Sequence, residues 1–298
     1  MNPRVALLRS TLARRPLLAD GAMGTQLQQL GLAPGACGEL WNLEQPIRVR
    51  QVHRNYIAAG ADLLTTNSFG GTSYVLFTHG AGARVREINF AAAQLARDVA
   101  GDRAWVLGDM GPFGGMFEPY GEADPADVKI AFRQQASALL EGGADALLIE
   151  TMSDPAEAVL AVEAARAAGA GCVFATFAFQ KSATGFATMM GDSVAAALAP
   201  VLAAGADVVG ANCGTELSLE DYVKLTAELV AAAAGRPVIV QPNAGSPRFA
   251  NGNISYDVTP EQFAAAVPRL LAAGARVVGG CCGTTPAHIT AMAAVLPR

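Results

Sequence analysis

One phrase recurs along this chain and narrows what it can fold into. Ala58-Ala59-Gly60-Ala61-Asp62 precedes Leu63-Leu64-Thr65-Thr66, Gly142-Gly143-Ala144-Asp145 precedes Ala146-Leu147-Leu148-Ile149-Glu150, and Ala203-Ala204-Gly205-Ala206-Asp207 precedes Val208-Val209-Gly210. Variants are Ala167-Ala168-Gly169-Ala170 ahead of the run Cys172 to Phe177, and Ala272-Ala273-Gly274-Ala275-Arg276 ahead of Val277-Val278-Gly279. In each, an alanine-rich stretch with helical spacing meets a glycine, which takes the left-handed conformation that ends a helix. The chain then turns directly into a short strand. These strands are apolar throughout, as parallel strands buried on both faces are.

Filling the gaps gives strands near 17–20, 63–66, 104–109, 146–150, 172–177, 208–213, 237–242 and 277–281. Helices follow at 46–60, 84–101, 125–142, 155–168, 191–204, 218–234, 259–273 and 286–296. Eight alternating units predict an α/β fold, a single (β/α)8 TIM barrel occupying 1–298 as one domain; an open doubly wound sheet is the alternative. The Gly-Pro-rich passages 111–125 and 241–258 follow strands, where active-site loops belong.

Composition excludes several other classes. Of the 298 residues 16% are charged and 52% hydrophobic, against roughly 25% and 45–50% in ordinary globular chains, so a disordered chain is excluded. With 21 Lys+Arg, 26 Asp+Glu and a net charge of −5, no basic face stands out for nucleic acid. No stretch approaches the roughly 18 apolar residues of a membrane helix. The start carries Arg4, Arg9, Arg14 and Arg15 with no acid before Asp20, as some transit peptides do. Because Pro16 to Asp20 already reads as a strand, we expect a small covering helix and a cytoplasmic protein. Five cysteines, an odd number in a long chain, suit a reducing compartment.

A barrel gathers its chemistry at the C-terminal ends of its strands. Those ends read Asp20, Thr66-Asn67, Asp109, Glu150, Asn212-Cys213, Asn243 and Cys281-Cys282. Three cysteines at strands 6 and 8 are the informative part. Adjacent strand residues face opposite ways, so Cys281 and Cys282 reach one point only where the backbone leaves the strand, which the flanking glycines permit. Three convergent thiolates suit tetrahedral Zn²⁺ with an open fourth position. A packed pair or a vicinal disulfide is the competing reading of Cys281-Cys282. Thr285 as N-cap and Pro286 at the first helical position start a helix whose positive end favours the nearby thiolates. His288, one turn into it, reads as packing, and with His53 and His79 the only other histidines a histidine-based metal site is not expected.

A zinc ion held by three thiolates is a poor Lewis acid but a good holder of a fourth thiolate, which points to alkyl transfer onto a substrate thiol rather than to hydrolysis. Asp20 and Glu150 are candidates for a substrate ammonium, and backbone N–H groups around Gly21 and Thr66 for its carboxylate. Either acid alone reads equally as a cap or a buried hydrogen-bonding carboxylate.

These residues resemble the homocysteine S-methyltransferase family in Asp20-Gly21-Ala22-Met23-Gly24-Thr25, Thr66-Asn67-Ser68-Phe69, Ile149-Glu150-Thr151, Gly210 to Gly214 and Gly279 to Thr285. Leu40-Trp41-Asn42-Leu43 and Pro242-Asn243-Ala244-Gly245 are most similar to the homocysteine-binding barrel of cobalamin-dependent methionine synthase. The resemblance implies Zn²⁺ on Cys213, Cys281 and Cys282 with homocysteine thiolate as fourth ligand, and Asn243 near the metal when substrate is absent. It also implies that Asp20, Gly21, Thr66 and Glu150 hold the amino-acid end. No Asp-x-His-x-x-Gly cobalamin motif is present, so a methyl donor from outside is expected, either methylcobalamin on a separate corrinoid protein or a small sulfonium compound. Gly70-Gly71 follow Phe69 where betaine-using relatives carry an aromatic residue, which disfavours a quaternary ammonium donor. Phe113, Phe117 and Tyr120 are candidates for a donor or partner surface, or simply for loop packing. Other partners are further copies of the chain, as a homo-oligomer. Two further readings stay open: a corrinoid-linked demethylase component acting on another thiol, and a non-catalytic homocysteine- or zinc-binding module.

Overall fold

A computed structural model of the protein describes residues 2–214, 216–250 and 253–297. Its eight apolar runs become β1 Leu17–Leu18, β2 Leu63–Thr65, β3 Trp105–Met110, β4 Ala146–Met152, β5 Val173–Phe177, β6 Val208–Cys213, β7 Val238–Pro242 and β8 Val277–Val278. From β2 to β8 each strand pairs in parallel with the next, and β8 pairs with β1. A parallel bridge from Ala19 to Leu63 closes the ring. This is a (β/α)8 TIM barrel.

The outer helices are α1 Pro46–Ala58, α2 Val85–Ala100, α3 Pro125–Glu141, α4 Pro155–Ala167, α5 Val194–Ala203, α6 Leu219–Ala232, α7 Pro260–Ala272 and α8 Pro286–Val295. Their starts follow from local chemistry: Asp124, Asp154, Ser193, Ser218 and Thr259 each accept a backbone N–H at the N-cap. Their ends follow from the recurring phrase. Gly60, Gly143, Gly205 and Gly274 have φ of 96, 107, 110 and 105°, a conformation that a side chain would strain.

The interior is filled by inward residues, among them Leu17, Leu63, Leu107, Leu148, Phe174 and Ile239. The N-terminal helix Pro3–Arg14 adds Val5, Leu8 and Leu12 to this cluster, so it covers the bottom of the barrel as anticipated. The arginines that gave this segment its basic start have a specific use. Asp62, Asp145 and Asp207, the acids of the three complete repeat phrases, accept from the N–H of Leu18, Val106 and Val173 at 2.9, 2.8 and 2.9 Å. Their remaining lone pairs take Arg15, Arg4 and Arg9 at 2.9, 2.8 and 2.7 Å. Arg97 and Arg166, from α2 and α4, complete the pairs at Asp145 and Asp207. One junction therefore ends a helix, starts a strand and ties down the covering helix.

Four differences from the sequence expectation are local. The first and last strands are shorter than 17–20 and 277–281, because Asp20 and Gly279 onward leave the regular ladder to build the site. Phe179–Ser182 and Gly185–Thr188 form a hairpin after β5, hidden by exposed polar residues at its tip, with Phe179 and Phe186 buried beneath. A second hairpin, Arg248–Ala250 with Asn253–Ser255, follows β7. The helix expected from 191 starts at Val194, where Ser193 caps it.

Asp145 is 3% exposed and holds two arginines and a strand N–H. Asp145→Ala leaves all three donors without their acceptor and should cost about 3 kcal/mol, the low end for breaking a buried pair because both arginines reach water. Urea denaturation of variant and parent checks this.

Candidate active site

Side chains alternate in and out along each strand, so the inward positions can be read in layers. Leu63, Leu107, Leu148 and Ile239 belong to the apolar core; two residues on, Thr65, Asp109, Glu150 and Gln241 line a cavity of about 480 Å³ at the C-terminal end. A polar layer therefore caps an apolar one, and the cavity opens above it.

The three thiols stand at its wall. The Sγ atoms of Cys213, Cys281 and Cys282 all lie within 4.8 Å of one another, with Cys281 and Cys282 at 4.0 Å. Cys213 ends β6 with φ 54°, rare for a side-chain-bearing residue, followed by Gly214 at 87°. This twist turns its thiol toward the other two. Cys281 and Cys282 lie beyond β8, in a segment pinned to β7: Cys281 N–H donates to Pro242 O at 2.8 Å and Ala244 N–H to Cys282 O at 2.9 Å. Thr284 N–H donates to Cys281 O at 3.1 Å, closing a turn that lets consecutive residues face one point. Gly283, φ 79°, makes that turn under the Tyr256 ring, where a Cβ would meet the ring at 2.1 Å. All five cysteines are free, so the disulfide reading of the pair does not describe this structure. Without a cation the thiols cannot all ionise. Hydrogen bonding from its neighbours pushes Cys213 downward, and the same sharing pushes Cys281 and Cys282 upward.

Around them sits a hydrogen-bonded frame. Asn212 accepts from Thr176 Oγ1 at 2.8 Å and Thr151 N–H at 3.0 Å, and donates to Thr151 Oγ1 at 2.6 Å. Its amide also reaches Cys281 Sγ at 3.7 Å. Thr151, at φ 60°, carries the irregularity that lets Glu150 enter the cavity. Asn243 Nδ2 stands 3.6 Å from Cys213 Sγ, while its Oδ1 is buried with no partner. The three sulfurs form a donor set that fits a soft or borderline divalent cation.

The other anticipated residues meet in the same cavity with different commitments. Glu150 is pushed up to about 8 by burial and by the charges of Asp20 and Cys213. Asp20 is pushed up to about 7 by burial, and both its oxygens are occupied, by Thr65 N–H and Thr65 Oγ1 at 2.8 Å each. The Gly21 amide makes no hydrogen bond among the described residues. Thr66 lines the cavity, but its N–H donates to Leu107 O at 3.0 Å, and its hydroxyl accepts from Asp109 N–H at 2.9 Å. Of the two amides anticipated for a carboxylate, Gly21 is therefore the uncommitted one. Phe113 and Phe117 pack together with ring centroids 5.1 Å apart. His288 packs as expected, its Nδ1 3.1 Å from Thr285 N and its Nε2 2.9 Å from Val258 O.

Sequence reasoning passed over Thr284 and Tyr56, and named Asn212 only as a strand end without a role. Thr284 Oγ1 donates to Cys281 O at 2.7 Å and accepts from Ala22 N–H at 3.1 Å, so it latches the β1 loop to the cysteine turn. Tyr56 OH donates to Ala22 O at 2.8 Å. The signal was present for Asn212, a polar residue inside an apolar strand next to Cys213; nothing local marked the other two.

The fold and the thiol site define a barrel whose chemistry is that of sulfur at the strand ends. A model of the homocysteine S-methyltransferase family matches residues 17–296, and the chain belongs to that family. It is 35% identical to the methionine synthase of Mycobacterium tuberculosis over 97% of this chain and 25% of that protein. It is likewise 35% identical to the Mycobacterium leprae methionine synthase, over 98% of this chain. The chain thus spans about a quarter of the length of these curated relatives. Among solved structures, the metallated form of the homocysteine methyltransferase MmuM from Escherichia coli superposes with a TM-score of 0.78 and 27% identity, covering 98% of this chain and 99% of that one. Its apo form gives 0.74 and 26%.

Gly21 is the tightest point of the latch: a Cβ there would stand 2.6 Å from Thr284 Oγ1 and 3.0 Å from Tyr56 OH. Gly21→Ala should cost about 1–3 kcal/mol by overpacking and should loosen the cysteine turn. Thermal denaturation reads the first effect, and the rate of thiol modification at Cys281 and Cys282 reads the second.

Proposed function

We propose that this chain, as one homocysteine-binding barrel over 1–298, is a zinc-dependent S-methyltransferase that transfers a methyl group to homocysteine and yields methionine. The observation that carries this reading is the convergence of three free thiols from two strand ends beside an acidic cavity. Cys213, Cys281 and Cys282 would hold Zn²⁺, with Asn243 taking the remaining position when substrate is absent. The ion, when bound, lowers the pKa of an added thiol so that its anion exists at neutral pH while the electron-rich sulfur stays nucleophilic. The metallated form described for the Escherichia coli relative supports a metal in this family.

The chain's own residues bind and orient. Glu150 offers a carboxylate for the substrate ammonium, and the Gly21 amide offers a donor for its carboxylate. Asp20 is the second acid offered to that ammonium, and Thr66 lines the wall at the carboxylate end. The polar layer fixes the amino-acid end at the cavity floor, so the substrate sulfur lies toward the three thiols and an incoming methyl group must approach from the open mouth. In-line displacement then needs no protein nucleophile. The donor comes from outside the barrel: methylcobalamin on a separate corrinoid protein, or a small sulfonium compound. A cytoplasmic setting accords with three reduced thiols, and among the described residues no helix is long and apolar enough to cross a membrane.

A donor panel with homocysteine and zinc-loaded protein, scored for methionine, tests the activity. Methionine should form with at least one of free methylcobalamin, a methylated corrinoid protein or S-methylmethionine, and product with none of them rejects the methyltransferase reading. In parallel, Cys213→Ala should bind less than about a tenth of the parent's zinc under a competing chelator, because three ligands become two. Its far-UV circular dichroism should stay unchanged; full activity in the chelated variant would reject the zinc mechanism.

A further inference from the structure

The cavity floor holds an acid that the reading above leaves idle. Asp109 is 3% exposed and its Oδ1 receives no hydrogen bond. Its backbone is held firmly nonetheless: its N–H donates to Thr66 Oγ1 at 2.9 Å, and its carbonyl accepts from Ser68 Oγ at 2.8 Å and Gln135 Nε2 at 3.3 Å. The main chain is fixed while Oδ1, in a residue that lines the cavity, is left without a partner. A buried carboxyl without a partner is costly. A second acceptor in the same cavity, Gln241 Oε1, is also buried and unpartnered.

The neighbouring charges say what would satisfy them. Burial, together with the charges of Glu150, Glu39 and Asp20, pushes the Asp109 pKa well above the usual carboxylate range. No Lys, Arg or His lines the cavity among the described residues. Orphaned acceptors facing a space with no protein cation call for a ligand that donates hydrogen bonds and carries positive charge. Position distinguishes the acids further. Asp20 accepts from Thr65 once with each oxygen, closing the strand seam and keeping a lone pair on each. Glu39 accepts from Gly70 N–H at 2.7 Å. Asp109 and Glu150 lie on adjacent strands, with Asp109 beside Leu148 in register and Glu150 two residues further, so both enter the barrel on the same side of the pocket.

We propose that Asp109 is a further specificity-determining residue, which receives the substrate ammonium together with Glu150. This rests on the homocysteine reading and adds to it which acid selects an amino-acid thiol over a plain one.

Calorimetric titration of zinc-loaded parent and Asp109→Asn with L-homocysteine and with 4-mercaptobutyrate tests it, because the second ligand keeps the thiol and carboxylate and lacks the ammonium. Asp109→Asn should weaken homocysteine about tenfold or more, the usual worth of a hydrogen bond to a charged group, and leave 4-mercaptobutyrate within about twofold. Equal affinity of parent and variant for homocysteine overturns the proposal. So does equal weakening of both ligands, which marks a merely structural role. If the parent binds 4-mercaptobutyrate and not homocysteine, the substrate reading itself fails and Asp109 loses its role with it. Should Asp109→Asn not fold, Asp109→Ser makes the same comparison.

Discussion

Everything at the mouth of this barrel depends on one seam. Between β1 and β2 the backbone ladder is reduced to a single bridge, Ala19 to Leu63, and two carboxylates make up the deficit from opposite ends. At the bottom Asp62 accepts from Leu18 N–H at 2.9 Å; at the top Asp20 accepts from Thr65 N–H at 2.8 Å. Each side chain takes the place of a strand carbonyl. A barrel must close to leave no open edge, and here closure is achieved with side chains because the strands are too short to achieve it alone.

The seam sets the site because the chain leaves β1 at Asp20. The next two residues, Gly21 and Ala22, are gripped by Thr284 and Tyr56, and Thr284 in turn grips the carbonyl of Cys281. The position of two of the three sulfurs is thereby referred to the first strand, and that of the third to β6 through the left-handed Cys213. Asn212 bridges the two sides, hydrogen-bonded to Thr151 and close to Cys281. A three-thiol site assembled from distant segments needs such cross-ties, since each thiol alone has rotamers that would scatter it.

Much of this was legible in the sequence where one physical rule governs a position. Gly-Ala-Asp after an alanine-rich helix fixes a junction, and five such junctions or variants among eight strand–helix units fix a barrel; strand ends then locate Cys213, Cys281, Cys282, Asp20 and Glu150 on one face. What escaped was decided by contacts between segments. That Asp62, Asp145 and Asp207 meet arginines of the first helix depends on the barrel bottom existing, and that Thr284 touches Ala22 depends on β8 lying beside β1. The hairpin after β5 escaped for a different reason: its exposed polar tip carries no apolar alternation, and only Phe179 and Phe186 report a buried side. Thr66 lines the cavity as its strand-end position implied, while the commitment of its own amide to Leu107 O depends on β3 lying beside it.

The two ends of the barrel use the same residue to opposite effect. At the bottom, aspartates face arginines from the covering helix and from α2 and α4, and the buried Asp145 accepts from two arginines and a strand N–H. At the top no arginine lines the cavity among the described residues, and Asp109 keeps an unpartnered oxygen while burial and its neighbours push Glu150 toward its neutral form. The difference lies in which cations the chain provides. Paired acids at one end stabilise the closed barrel, and that stability offsets the burial of unpaired acids at the other. Those unpaired acids are the ones free to receive a positive charge from outside, so the arginines of the first helix, more than 100 residues from Glu150 in sequence, are part of the reason the upper cavity can stay acidic and ready for a ligand.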